Sequence, residues 1–297
     1  MLIRPAYIGI VLIWSTTPLA VQWSSVGGGY AFGLMMRMLI GLAVLYLLFS
    51  FLQKPFARTR TALTVYGLSG FGIYASMFLV YWGAQYIPSG WIAVVFGLSP
   101  IVTGVLSAFL LVESGLTIFR LLGIFTALIG LMVIFNIGSQ MSINAIWGLM
   151  AVLLSTITHS LSAVLIKRVD APLTGMEATL GGLALATPLL AMNWILFSDP
   201  FESASVPKRT WFAIAYLGII ATAFGFSLYY YVLRNMDAVR VSTITLVTPV
   251  TALLLGKFLN NEPLTASILF GASLVTMGLA VFQFEKFFSR RLSSTSG

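Results

Sequence analysis

The chain has 297 residues, 59% of them hydrophobic and 8% charged, with a formal net charge of +8. Average globular domains carry about 25% charged residues, so the composition excludes a water-soluble domain and requires a bilayer as solvent. With no cysteine and a single histidine, disulfides and thiolate chemistry are excluded, and nucleophile–base pairs have almost no material.

A membrane-crossing helix needs about 20 mostly apolar residues. Ten runs qualify: 6–23, 31–51, 63–84, 89–111, 120–137, 145–166, 174–196, 211–233, 240–258 and 266–284. The first follows Arg4 but is too long for a signal peptide, lacks a convincing small-x-small cleavage site and precedes nine further spans, so it is expected to be a retained helix. It carries Trp14, Ser15 and Thr16. Span two holds Arg37, about 10 Å from the span's start at 1.5 Å per residue. A charge at that depth either snorkels and packs or serves a cavity. Span three carries Phe71, Tyr74, Phe78 and Tyr81, whose spacings of 3, 4 and 3 place them on one face. That stripe either packs against neighbours or lines a cavity that takes an apolar or aromatic solute.

Span four has Ser99-Pro100 at its middle and leads to Glu113. A mid-helix proline removes a backbone hydrogen bond and kinks the helix, which makes it either a shape-setting kink or a hinge in a cavity wall. Gly123 and Gly130 on span five lie two turns apart, marking a smooth face for another helix or for a second copy of the chain. Span six has His159 among Ser155, Thr156, Thr158, Ser160 and Ser162. The imidazole is either simply hydrogen-bonded or a proton relay. Glu177 opens span seven. Span eight carries Phe224, Phe226, Tyr229, Tyr230 and Tyr231, span nine Thr248-Pro249 leading to Glu262, and span ten Gly271 and Gly278. Glu113 and Glu262 read either as caps for the next helix or as gate contacts.

These features occur twice. Ser99-Pro100 followed by Glu113 and Leu116-Thr117 corresponds to Thr248-Pro249 followed by Glu262 and Leu264-Thr265; Tyr81-Trp82 corresponds to Tyr230-Tyr231. Gly123 and Gly130 match Gly271 and Gly278. The offset is 149 as far as the glutamates and 148 beyond them. A duplicated apolar half is the signature of a transporter fold.

Orientation follows from the basic residues. With the N-terminus in the cytoplasm, twelve lie inside (Arg4, Lys54, Arg58, Arg60, Arg120, Lys167, Arg168, Arg234, Arg240, Lys286, Arg290, Arg291) and three outside (Lys208, Arg209, Lys257). That bias places both termini inside. Five spans per half is an odd number, so the second half is inverted. The expected organisation is a first five-helix unit at 1–138, a periplasmic connector at 139–143, a second unit at 144–285 and a cytoplasmic tail at 286–297. The fold class is an all-α integral membrane protein of ten transmembrane helices in two inverted repeats, N-in and C-in.

The stretch Ala93–Pro100 running to Glu113, Gly123 and Gly130, and its copy Thr243–Pro249 running to Glu262, Gly271 and Gly278, resemble the drug/metabolite transporter superfamily, in particular the ten-helix EamA type. Trp14-Ser15 and Arg37 look familial as well. The likeness covers nearly the whole chain and departs from the commonest pattern at Ser114-Gly115, where many members carry a basic residue or proline. It implies an exporter of amino acids, other small metabolites or toxic compounds, with a cavity between the halves.

The expected function is therefore secondary or facilitative transport of a small organic solute by alternating access, in a bacterial inner membrane. Cavity candidates are Trp14, Ser15, Tyr74, Phe78, Tyr81, Ser99, His159, Ser162, Tyr230 and Thr248; Pro100 and Pro249 are kinks or hinges, Arg37 is the intramembrane charge, and Glu113 and Glu262 are gates or caps. No phosphate loop or His/Glu metal cluster is present in the sequence, so no enzyme activity, cofactor or metal is expected. The expected partners are the solute and the lipid bilayer, with no nucleic acid, and the chain is a monomer or homodimer. A structural or sensory membrane protein, or a lipid-flipping helper, is the alternative.

Overall fold

Helix ends fall where side chains can satisfy the backbone. Thr59 accepts from the Ala62 N–H at 3.2 Å and starts α3 (Arg60–Gly83); Ser142 accepts from Ala145 N–H at 3.2 Å and starts α7 (Ile143–Val169). Asp170 closes α7 in the left-handed conformation, with φ 48°. Thr174 and Glu177 form a reciprocal capping box at the start of α8 (Gly175–Phe197): the Glu177 N–H donates to Thr174 Oγ1 at 3.2 Å and the Thr174 N–H to Glu177 Oε2 at 3.1 Å.

The computed structural model describes residues 3–53, 56–111, 117–134, 142–197, 206–246 and 248–283. The other helices are α1 (Ile3–Ser24), α2 (Gly29–Phe51), α4 (Ser89–Phe96), α5 (Ser99–Leu110), α6 (Ile118–Ile134), α9 (Lys208–Tyr216), α10 (Ser227–Asn235), α11 (Ala238–Ser242), α12 (Thr248–Asn260) and α13 (Ala266–Gln283). A π-helical segment, Leu217–Phe226, joins α9 to α10, and a 3₁₀ turn, Thr243–Leu246, follows α11. The described residues are all-helical, and seven segments among them are long and apolar enough to cross a membrane; 118–134 and 266–282 are apolar but shorter. Glu113 and the residues 135–141 around the expected connector lie outside the described residues.

The expected mid-helix prolines sit instead at helix starts. The run 89–110 is interrupted at Gly97-Leu98, and Pro100 occupies the first turn of α5. Pro249 is likewise the second residue of α12, after the 3₁₀ turn. A proline there costs no hydrogen bond, because the first N–H groups of a helix have no internal partner. The prolines inside helices are Pro18 in α1 and Pro188 in α8.

Helix α3 packs on α7 and α8, the run 208–235 packs on α1 and α2, and α6 packs on α13. Lipid tails are as apolar as leucine, so burial between helices brings little hydrophobic gain; close packing and interhelical hydrogen bonds hold such a bundle together. Both are present. Ser155 Oγ donates to the Ser76 carbonyl at 2.7 Å, Ser162 Oγ to the Leu68 carbonyl at 2.8 Å and Ser69 Oγ to the Ala178 carbonyl at 2.9 Å. Gly123 faces Gly278 and Gly130 faces Gly271: a Cβ added to any of the four would lie 2.6 Å from the opposing carbonyl oxygen. The two glycine faces therefore meet each other.

Candidate functional site

Trp14, midway along α1, meets the edge of the His159 ring at 5.7 Å between centroids and lies 5.1 Å from Tyr229. His159 is 5.1 Å from Tyr229 and 6.3 Å from Phe96, the last residue before the helix break. Side chains from α1, α4, α7 and α10 thus converge on one aromatic cluster. It forms part of the wall of a central cavity, which also takes in Thr17, Pro18 and Val21 from α1, Arg37 from α2, and Thr245 and Thr248 from the region of the second break. The wall is apolar apart from these hydroxyls, the imidazole and the guanidinium.

Pro18 has no N–H to give the Trp14 carbonyl, which loses its helical partner at the turn lining the cavity. The hydroxyl beside it bonds to the carbonyl one residue earlier in the same turn: Thr17 Oγ1 donates to the Ile13 carbonyl at 2.8 Å. Beside the second break, Thr248 Oγ1 donates to the Thr245 carbonyl at 3.0 Å.

Arg37 is only 2% exposed. Its Nε donates to Thr222 Oγ1 at 2.8 Å, its guanidinium carbon lies 6.0 Å from the Tyr81 ring centre, and its Nη1 has no partner among the described residues. Thr222 belongs to the π-helical segment, which bonds i to i+5 and so has wider turns than an α-helix. Such wide turns recur at functional sites.

A second polar cluster lies at the end of the bundle where α1 and α12 finish and α4 begins. Ser89 Oγ donates to Glu262 Oε1 at 2.7 Å, and the Gly90 N–H donates to Oε2 at 3.2 Å. Asn260 Nδ2 donates to Glu262 Oε1 at 3.0 Å and to Gln22 Oε1 at 3.1 Å. Trp23 Nε1 donates to Asn260 Oδ1 at 3.2 Å, and the Arg209 guanidinium sits 3.5 Å over the Trp23 ring. Gln22 follows the cavity residue Val21, and Ser89 lies one turn before Ile92 and Ala93, so this cluster is stacked directly on the cavity.

The sequence profile of the EamA-like transporter family matches residues 5–136 and 146–284. The chain belongs to that family. Members are transporters rather than enzymes, and this EamA-like transporter is a multi-pass membrane protein. It is 31% identical over 225 residues to a transporter of Archaeoglobus fulgidus described as uncharacterized, covering 74% of this chain and 75% of the relative. It is 27% identical to the Bacillus subtilis transporter YoaV, covering 86% and 87% of the two chains. The Escherichia coli K12 inner membrane transporter YedA is 27% identical, over 67% of this chain and 65% of its own. A solved crystal structure superposes with a TM-score of 0.70 over 98% of both chains at 21% identity, a likeness of fold.

Of the residues singled out in the sequence of this EamA-like transporter, the structure brings Trp14, Arg37, His159 and Thr248 to the cavity. Tyr81 is fully buried beside Arg37 and accepts from Ser24 Oγ at 3.2 Å. Tyr74 and Phe78 stack on each other at 6.4 Å along α3, with Tyr30 against Phe78 and Asn193 Nδ2 donating to the Tyr74 hydroxyl at 2.8 Å. They face α2 and α8. Ser15 and Ser162 donate to the backbone carbonyls of Val11 and Leu68, and the buried Ser99 hydroxyl has no partner among the described residues. Tyr230 stacks on Phe226 and lines a separate cleft with Lys167, Asp170 and Arg234. Pro100 and Pro249 are buried next to the helix breaks.

Sequence reasoning missed Thr222, Tyr229, Phe96 and Pro18 as site residues. The Phe224–Tyr231 stripe was a signal for Tyr229, but the π-helical turns before it shift the helical phase, and an α-period projection cannot register that. Pro18 was readable as a proline inside an apolar run.

Proposed function

We propose that this EamA-like transporter is a secondary or facilitative carrier of small organic metabolites, working as an exporter by alternating access. The solutes are drawn from amino acids and related compounds or from amphiphilic toxic compounds. The reading rests on one observation: a largely apolar central cavity whose wall includes Arg37, His159 and Trp14 and is bordered by both helix breaks. Carriers of this kind bind solute near the bilayer midplane, beside discontinuous helices.

The same proposal takes the chain as ten spans in two inverted five-helix units, 1–138 and 144–285, with both termini in the cytoplasm. The exchange-symmetric packing supports it: α3 lies against α7 and α8 as the run 208–235 lies against α1 and α2, and α6 meets its counterpart α13. The twelve-to-three distribution of basic residues supports the orientation. In this frame the Glu262 cluster is the outer gate, and Glu113 is its counterpart at the inner face. Rocking of α1, α3 and the α4–α5 run with α7, the run 208–235 and the run 238–260 would break and remake the Glu262 cluster.

Reconstituted protein in liposomes tests the reading. Counterflow of labelled metabolites above that of protein-free liposomes is the expected result. Failure of every solute class to move, with Trp14→Ala leaving cellular resistance to metabolites unchanged, would overturn it in favour of a structural or lipid-handling role.

A further inference from the structure

The other basic residues lie near span ends or in the connections, which leaves Arg37 as the basic residue in the interior of a span, and none of the eight acidic residues lies in such an interior. A buried cation without a counter-charge is costly, because its hydration is lost and not replaced. Thr222 takes the Nε hydrogen and orients the guanidinium plane, but it is neutral and accepts one bond. The Tyr81 ring lies at 6.0 Å, a weak contact. Nη1 is buried and without a partner among the described residues, and Arg37 is part of the cavity wall. No movement of the helices can bring an acidic side chain of a span interior to it, because the sequence has none. A counter-charge for this guanidinium would therefore have to come from outside the chain, as an anion.

The rest of the wall specifies the body of that anion. Trp14, Phe96, Phe226, Met77 and Ile92 present apolar surface, and no Asp or Glu among the described residues lines the cavity. An ammonium group would find no carboxylate there and would meet the repulsion of Arg37. We infer that Arg37 is the anion-recognising group of the cavity, and that its ligand is an organic acid with an apolar or aromatic body. The carboxylate, or a comparable anionic group, lies against the guanidinium, and the body lies against Trp14, Phe96 and Phe226. This rests on the transporter reading above and narrows it, setting cationic amphiphiles aside.

Calorimetry on the purified wild-type protein in detergent, with three probes sharing one ring, tests the inference. Phenylacetate is expected to bind about ten-fold or more tighter than phenylacetamide, since hydrogen bonds to charged groups are the stronger kind. 2-Phenylethylamine is expected to bind more weakly than either. Arg37→Gln should abolish the preference for the acid, and Arg37→Lys should keep part of it. Equal or tighter binding of the amide or amine, no binding of phenylacetate, or a preference that survives in Arg37→Gln would each overturn the inference. The wild-type comparison decides the matter even if the variants fold poorly. Liposome counterflow separates the two readings: acid-selective binding without movement of any solute defeats transport and leaves the anion site standing, whereas movement of solutes without acid selectivity does the reverse.

Discussion

Ser89 and Glu262 are joined by a 2.7 Å hydrogen bond across 173 residues of sequence. With the Gly90 N–H at 3.2 Å, the Glu262 carboxylate caps the first turn of α4 from the far end of the chain. A carboxylate at a helix N-terminus is favoured by the unpaired N–H groups and the helix dipole. The same carboxylate ties Asn260 and, through it, Gln22 at the end of α1.

Glu262→Ala should therefore loosen this end of the bundle. Leaving Ser89 and the Gly90 N–H without their acceptor should lower stability by about 1–3 kcal/mol. Because the chain has no cysteine, a single Thr17→Cys reporter gives a clean reading of access to the cavity. Labelling by an impermeant maleimide added outside should be faster in the Glu262→Ala background than with Glu262 intact. An unchanged rate would make Glu262 a cap without a gating role.

Thr222→Val keeps the shape of the side chain but removes the acceptor for Arg37 Nε. A buried charged donor left unpaired costs about 1–3 kcal/mol or more. Lower thermal stability in detergent is expected, with weaker solute binding because the guanidinium is no longer oriented. Thr222→Ser should restore both.

Gly130→Leu should disrupt the α6–α13 contact, since even a Cβ there would lie 2.6 Å from the Gly271 carbonyl oxygen. Overpacking typically costs about 1–3 kcal/mol and rises with the backbone shift required. The expected readout is a lowered melting temperature. Gly67→Ala, where an added Cβ meets nothing within 4 Å, is the control.

His159 is ringed by Trp14, Tyr229 and Phe96, a setting in which an aromatic ring fills space. His159→Phe should keep most of the transport rate, and His159→Ala should lose it by opening a void in the cavity wall. Counterflow with and without an imposed pH gradient checks the role. A gradient response present in wild type and absent in His159→Phe would make the imidazole a proton relay instead.

Topology can be read with the same cysteine-free chain. Single cysteines replacing Ser142 and Asp170 sit at opposite ends of α7. The first should be labelled from outside intact cells and the second only after permeabilisation.

The sequence alone determined the solvent, the class and the family of this protein. Its 8% charged residues and apolar runs require a bilayer, and the paired Pro–Glu stretches with Gly123/Gly271 and Gly130/Gly278 identify the EamA-like fold. These are properties of composition and spacing, which survive without coordinates. Arg37 and His159 could be named because ionisable groups in the interior of apolar runs are rare. Which faces meet was decided only by the tertiary structure. Two glycine stripes proved to be partners of each other, and Tyr74 and Phe78 turned toward α2 and α8 rather than the cavity. In a membrane both faces of a helix are apolar, so periodicity does not distinguish lipid from protein. The π-helical segment before Tyr229, the helix restarts at Pro100 and Pro249, and the placing of the Arg37 guanidinium against Thr222 and Tyr81 depend on contacts between distant spans. No local pattern encodes those contacts.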